Sequence, residues 1–347
     1  MEAGLSEKST MFDDTDDESD NEKLESIHPD EVTVAIFCAL AHEVVAFRYT
    51  LDKELTCSSN VSGRQEYVYS YGRISEHNIV IARPSQMGPV NAAHCAATVS
   101  QQFANVRFAL MVGVGAGIPS ANFDIRLGDV AVSYPGDGHP GVLEYDFGKY
   151  KVDGAFELKG ALDKPPRILI SAISSLEEDE IMNKNPIKKT LNKILENHRF
   201  QKPDRNDILF HPTFSHVEAG SDCSACEASA ERKVVTRDNR DSPHPVTHRG
   251  LILSGGAVVK NPQDRETLCR DKSGTAICFE MEAAGIMDQI PCLVIRGICD
   301  YADNHKQNDW QYFAAAAAAS YCKVVLRRVP REEVEKIETM REISWGQ

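Results

Sequence analysis

The chain has 347 residues, 42% of them apolar, and a formal net charge of −14. That length suits one large domain or two small ones, and the apolar fraction is ample for a globular core. The acidic balance argues against nucleic acid as the main partner, because neutralising phosphates needs clustered Lys and Arg.

The charge is unevenly placed: residues 1–31 carry twelve Asp or Glu against Lys8 and Lys23. This stretch, with Asp13-Asp14-Thr15-Asp16-Asp17-Glu18 inside it, buries too little apolar surface to order itself and is expected to be a disordered acidic tail. Its start has no basic-then-apolar leader, and the chain has no apolar run of ~20 residues, so no membrane contact is expected. Ten cysteines are scattered. Cys38, Cys95, Cys278, Cys292 and Cys299 lie in apolar stretches, which suits reduced thiols in an intracellular, cytoplasmic protein better than a disulfide framework.

Val32 to Ala39 is a continuous β-branched and apolar run and predicts a strand buried on both faces. A helix over Leu40 to Phe47 follows, placing Glu43 just past the carboxyl end of that strand. In open α/β sheets ligands bind at this edge, although a Glu at a helix start is also favoured by the helix dipole alone. Strands are predicted over Glu66 to Tyr71 and Asn78 to Ala82, then a loop around Gly88 and a helix over Val90 to Phe103. Phe108 to Val112 predicts another buried strand, ending in the loop Gly113-Val114-Gly115-Ala116-Gly117-Ile118-Pro119. That loop lacks the Lys and Ser/Thr of a P-loop, and Ile118 stands where a dinucleotide fingerprint requires its third Gly.

Leu127 to Ser133 reads as turn and strand, and residues 135–165 as loop. Helices are expected over Arg167 to Leu176 and Ile187 to His198, and an irregular insertion over 200–248. Leu251 to Val259 returns to strand, Asp264 to Arg270 is a short helix, and Pro291 to Ile298 is a buried strand. Trp310 to Val329, rich in strong helix formers, predicts a terminal helix. Residues 331–347 form a charged C-terminal extension. The alternation indicates one α/β domain over 32–330.

Cys278-Phe279-Glu280-Met281-Glu282-Ala283-Ala284-Gly285 stands out. Ionised carboxylates are seldom buried without a partner. In an extended segment Glu280 and Glu282 point to one face, which suggests a ligand bearing hydroxyls. One Glu on an exposed edge and the other in an ordinary ion pair is an equally open reading.

Four segments together resemble the nucleoside phosphorylase and nucleosidase superfamily: Ala39-Leu40-Ala41-His42-Glu43, Val112 to Ile118 with Leu127-Gly128-Asp129, Phe279 to Ala283, and Arg296-Gly297-Ile298-Cys299-Asp300. The resemblance runs from about Val32 to Val329 and looks most like fungal members, which often form the N-terminal domain of larger regulatory proteins. It implies a mixed, partly closed sheet flanked by helices, cleavage of a nucleoside N-glycosidic bond, no cofactor, and a homo-oligomer. Because the transition state is oxocarbenium-like, an acid must protonate the leaving base. By motif position that acid is Asp300, with Asp303 as the nearby alternative, and it calls for a desolvated pocket that keeps the carboxyl at least partly protonated. Helix capping is a compatible role for Asp300. Glu282 and Met281 would hold the sugar, and Glu280 would bind or support. Glu43 would orient or deprotonate water. Ser85, Met87 and Gly88 fall in a sugar-side loop, Val114 and Gly115 in the glycine segment. Val258 or Val259 takes the base-stacking position, with Phe279 as an aromatic contact.

The phosphorylase pattern is broken at its anion ligands. Phosphate needs cationic or multiple N–H donors, yet Met111 and Val114 stand where Arg and Ser are usual, and Glu43 would repel it. Hydrolysis of a purine nucleoside, as in methylthioadenosine/S-adenosylhomocysteine nucleosidases, is therefore favoured. Phosphorolysis is the runner-up, with His42, Arg83 and Arg126 as candidate phosphate ligands. A non-catalytic nucleoside-sensing module is the reading from another class. Cys223 and Cys226 have zinc spacing, with His211 and His216 upstream, but the order is not that of a standard finger. A plain or redox-sensitive reduced pair is expected there, and no metal. His139 and His244 are assigned no role.

Overall fold

The computed structural model describes residues 24–58, 66–136, 138–152, 156–158, 162–218, 223–240, 242–269, 275–306 and 308–345. Most of the acidic tail, residues 1–23, lies outside them. Residues 24–31 do not continue it. Ser26–Ile27 (β1) pairs in parallel with Lys53–Cys57 (β3), and Glu25 bridges Lys53 and Arg73. A buried Ile27 and the two ion pairs of Glu25 anchor this segment.

The buried run expected after the tail is the strand Val34–Phe37 (β2), fully buried. It leads into Ala41–Arg48 (α1). The antiparallel pair Ser70–Ile74 (β4) and His77–Ala82 (β5) turns at Ser75, which adopts φ 52°. Pro89–Gln102 (α2) starts on a proline, whose fixed φ suits the first helical turn.

The next strand, Phe108–Gly117 (β6), is longer than its sequence suggested: the glycine segment is strand, not loop. Two neighbours explain it. Gly113 to Ala116 pairs in parallel with Cys292–Asp300 (β13), and Ala116–Gly117 pairs antiparallel with Ala276–Glu280 (β12). With Val130–Ser133 (β7) and Thr247–Ser254 (β11), these strands close a five-strand ring in the order β6-β12-β11-β7-β13 and back to β6. β2, β5, β4, β3 and β1 extend the sheet from β6, and Val142–Glu144 (β8) adds to β11. A separate hairpin joins Gly148–Tyr150 (β9) and Phe156–Leu158 (β10).

Helices cover both faces. One core is shared by Arg167–Ile181 (α3), Lys188–Leu195 (α4) and Gln311–Arg328 (α8); the other lies between the sheet, α2 and Ala283–Met287 (α7). The alanine run of α8 is needed for close approach, since a Cβ at Gly297 of β13 would sit 1.9 Å from the Ala314 carbonyl oxygen. The insertion is mostly irregular, with one short helix, Ser224–Ala228 (α5), before Pro262–Cys269 (α6). The C-terminal extension folds back. Arg331–Val334 (α9) buries Val334, and Met340–Trp345 (α10) starts at the buried Met340, whose N–H donates to Val106. Among the described residues no helix is long and apolar enough to cross a membrane.

Candidate active site

At one end of the ring a cleft of ≈ 660 Å³ opens to solvent. Glu43, Met87, Val114, Gly115, Val258, Val259, Phe279, Glu280, Met281, Glu282 and Asp300 all line it. These residues come from six separated stretches of sequence.

Arg296 also lines the cleft. It projects from β13, is 1% exposed, and its guanidinium contacts Glu280 and, at 3.1 Å, Glu282. The strand of β12 stops at Glu280, so strict alternation does not aim the two carboxylates. The turn into α7 does, and both meet on one cation. Glu280 is consumed by structure: it also accepts the N–H groups of Glu282 and Ala283 at the start of α7. Glu282 keeps one oxygen toward the cleft side, where the Gly88 N–H lies 3.4 Å away. Burial pushes the Glu282 carboxyl up, and Glu280 adds to the push while Arg296 opposes it. Burial pulls the Arg296 pKa down, but Glu280, Glu282 and Glu43 outweigh it and push it above the usual value.

Glu43 enters from the first turn of α1. Its Oε2 accepts the Leu40 N–H at 2.8 Å and its Oε1 the Val114 N–H at 2.7 Å. Burial raises its pKa to about 7, against the pull of Arg296 and the two N–H donors. The glycine of β6 makes room for this: a Cβ on Gly113 would lie 2.5 Å from Glu43 Oε1 and 2.7 Å from an Arg296 nitrogen. The glycine segment thus serves two charged side chains instead of cradling a phosphate.

At the other end Asp300 closes β13. Its Oδ1 accepts the Ala302 N–H at 2.9 Å, and Lys306 Nζ stands 2.9 Å from Oδ2. The sequence argument asked for a desolvated acid. Asp300 is buried, and it is paired with Lys306, whose pKa it raises against the pull of burial. Asp303, the alternative acid, is buried but does not line the cleft; its Oδ1 accepts the His305 N–H.

Other expectations separate here. Ser85 is exposed and does not line the cleft. Gly88 takes part only through its N–H. His42, Arg83 and Arg126, the candidate phosphate ligands, are all absent from the lining. His42 stacks on Tyr312, and Arg126 bonds Asp124. Among the described residues the two cations that do line the cleft, Arg296 and Lys306, are both paired with carboxylates. Arg296 was legible as a charge inside an otherwise apolar run, which demands a buried partner. Lys306 has no such signal, since it follows a polar loop. Beside the cleft, one candidate ligand atom from each of His216, Cys223, Cys226 and His305 lies within 4.8 Å of the others. His211 is not among them; its Nδ1 meets the Thr213 hydroxyl.

No family model matches the sequence. Over 309 residues the chain is 40% identical to a protein of Hyaloscypha variabilis described as a nucleotide-binding leucine-rich repeat (NLR)-like protein. That match takes in 87% of this chain but 30% of the other, so the chain spans under a third of that relative's length. Solved structures are similar as well, among them the following three. A 5'-methylthioadenosine/S-adenosylhomocysteine nucleosidase of Neisseria meningitidis, in complex with methylthio-immucillin-A, has TM-score 0.52 and 18% identity, covering 85% of this chain and 98% of its own. Futalosine hydrolase of Helicobacter pylori gives 0.51 and 17%, covering 85% and 97%. A putative 5'-methylthioadenosine/S-adenosylhomocysteine nucleosidase of Borrelia burgdorferi bound to adenine gives 0.55 and 17%, covering 85% and 99%.

Proposed function

We propose that this chain, which has the nucleoside phosphorylase/nucleosidase fold, hydrolyses the N-glycosidic bond of a purine nucleoside to free base and ribose. The observation that carries the reading is the charge inventory of the cleft. Both lining cations are already neutralised by carboxylates, and Glu43 faces the same space with a pKa near 7. A phosphate dianion finds no open cation there, whereas a water molecule finds a base tuned to neutral pH.

The residues divide the work as follows. Glu282, steadied by Arg296, accepts hydrogen bonds from ribose hydroxyls, which strengthen as the sugar becomes cationic. Met281 packs on the sugar, and Val258, Val259 and Phe279 flank the base. Water oxygen bonds to the anomeric carbon and its proton passes to Glu43. The glycosidic C–N bond breaks, its electron pair goes to the base, and a proton from the Asp300–Lys306 pair neutralises it. A homo-oligomer, implied by the resemblance, belongs to the same proposal.

The test is chromatography of adenosine, inosine, guanosine, uridine and methylthioadenosine incubated with the protein, with and without phosphate. Free base plus ribose in phosphate-free buffer is expected from at least one purine nucleoside. Release only with phosphate, yielding ribose 1-phosphate, overturns hydrolysis. A second reading, a sensing module that binds a nucleoside without turnover, draws support from the NLR-like relative, of which this chain matches 30%. It is selected if tight binding occurs with no base release.

A further inference from the structure

We propose that His216, Cys223, Cys226 and His305 bind one zinc ion, which staples the insertion to the loop carrying the Asp300–Lys306 pair. The inference is independent of the reaction assigned to the cleft.

The ligand set is spread along the chain in a way that only folding explains. Cys223 and Cys226 have the two-residue gap that lets both thiolates reach one metal. His216 precedes Cys223 by 7 residues and His305 follows it by 82. His216 Nε2 lies 3.4 Å from Cys223 Sγ, and His305 Nδ1 lies 3.7 Å from the same sulfur. Tetrahedral zinc, with bonds of about 2.3 Å to sulfur and about 2.0–2.1 Å to nitrogen, sets ligand–ligand edges of about 3.3–3.8 Å. All four ligand atoms fall within 4.8 Å of one another, so small side-chain adjustments close the shell.

Three features favour a metal over a plain pair of thiols. First, the His305 ring is already oriented as a ligand. Its Nε2 is 3.1 Å from the Phe214 carbonyl oxygen, an N–H donation that leaves the Nδ1 lone pair facing the thiols. Its ring also stacks on Phe210 at 4.0 Å. Second, His216 Nδ1 is buried without a hydrogen-bond partner among the described residues, so neither ring nitrogen is committed elsewhere. Third, the surrounding core is small. Phe210, Phe214, Cys223 and Cys226 form it, with Ile208 against them, and among the described residues α5 is the one helix of five or more residues between 201 and 246. Such a patch gains stability from a metal more than from its few apolar contacts.

The charge also balances. Binding releases two thiol protons to solvent, and two thiolates with two neutral imidazoles leave a neutral complex, which suits the full burial of both cysteines. His305 stands one residue from Lys306 and five from Asp300, so the metal would fix the base-facing end of the cleft from behind.

The experiment is metal analysis of the full chain, purified without a histidine tag from zinc-supplemented cells, followed by exchange to cobalt. About one zinc per chain is expected, with cobalt giving tetrahedral ligand-field bands and thiolate charge-transfer absorption. Cys226→Ser and His305→Ala should each weaken metal affinity by at least about tenfold, and His211→Ala should not. Wild-type protein free of metal and without the cobalt spectrum overturns the proposal, whether or not any variant folds. Unchanged affinity in His305→Ala also overturns it, because the bridge to the Asp300 loop would be absent.

Discussion

Glu43, Glu280, Glu282 and Arg296 are held at one end of the cleft by elements of the closed ring and the helices that start from it. Each is at most 4% exposed, and backbone N–H groups or the guanidinium hold the carboxylates in place. At the other end Asp300 is the last residue of β13, and Lys306 lies on the loop that follows it. That loop leans on the insertion through Arg237, which donates to the Tyr301 hydroxyl at 3.0 Å, and through the His305 stack on Phe210. One end is therefore built wholly into the fold, and the other joins the tip of a ring strand to segments with little regular structure. The lesson is that the two ends should fail differently: damage to the first shows in stability, damage to the second in turnover.

The sharpest break is Asp300→Asn. It should lower kcat by about 10²–10⁴-fold, the usual range for losing a positioned proton donor, with ligand affinity kept within about tenfold and melting little changed. Steady-state kinetics beside ligand titration decides this. Next comes Arg296→Met, which leaves three buried carboxylates around an apolar side chain. Removing one partner of such a cluster costs about 3–5 kcal/mol, so the denaturation midpoint should fall steeply. A small change in the urea midpoint would show that the Arg296 network is not what supports this end.

Glu43→Gln tests both properties at once. Burial raises the pKa of Glu43 to about 7, against 4.5 for an ordinary glutamate. The native state therefore holds the proton more tightly, and wild-type stability should fall as pH rises from 4.5 to 7, by about 3 kcal/mol in all. Activity should run the opposite way, rising through pH 7 as the base ionises. In Glu43→Gln both slopes should vanish, and urea titrations at several pH values beside a pH–rate profile would reveal a slope that survives. A smaller effect is expected of Lys306→Met, which removes one ammonium partner of Asp300: about a tenfold loss in kcat/KM, equivalent to about 1.4 kcal/mol. Smallest of all, His211→Ala should change stability by no more than about 0.5 kcal/mol, because His211 is exposed and bonds only its own turn.

Much of this could be read in advance, for identifiable reasons. β2 is an uninterrupted apolar run and β13 is apolar but for Arg296 before its closing Asp300, and such runs have few alternatives to a buried strand. Glu43, Glu282 and Asp300 flank such strands, so locating the strands located them. The glycine segment misled because isolated glycines read as a turn. In the fold each glycine is required by a neighbour far away in sequence, such as Glu43 and Arg296 at Gly113. Ser85 was placed by motif alone, without a chemical demand, and it lies outside the cleft. Residues 24–31 read as tail because their composition matches what precedes them, yet one short pairing with β3 orders them.

The amino-acid pattern by itself determined the alternation of strands and helices, the apolar core, and the presence of carboxylates beside buried strands. These follow from local periodicity and from the expense of burying charge, both of which act on near neighbours. Only tertiary structure decided which charges meet: Arg296 with Glu280 and Glu282, Lys306 with Asp300, and His305 with the Cys223–Cys226 pair. Those partnerships depend on closing the ring and on seating the insertion against it, and electrostatic pairing falls off within a few ångströms. No sequence spacing encodes a distance that short between segments so far apart.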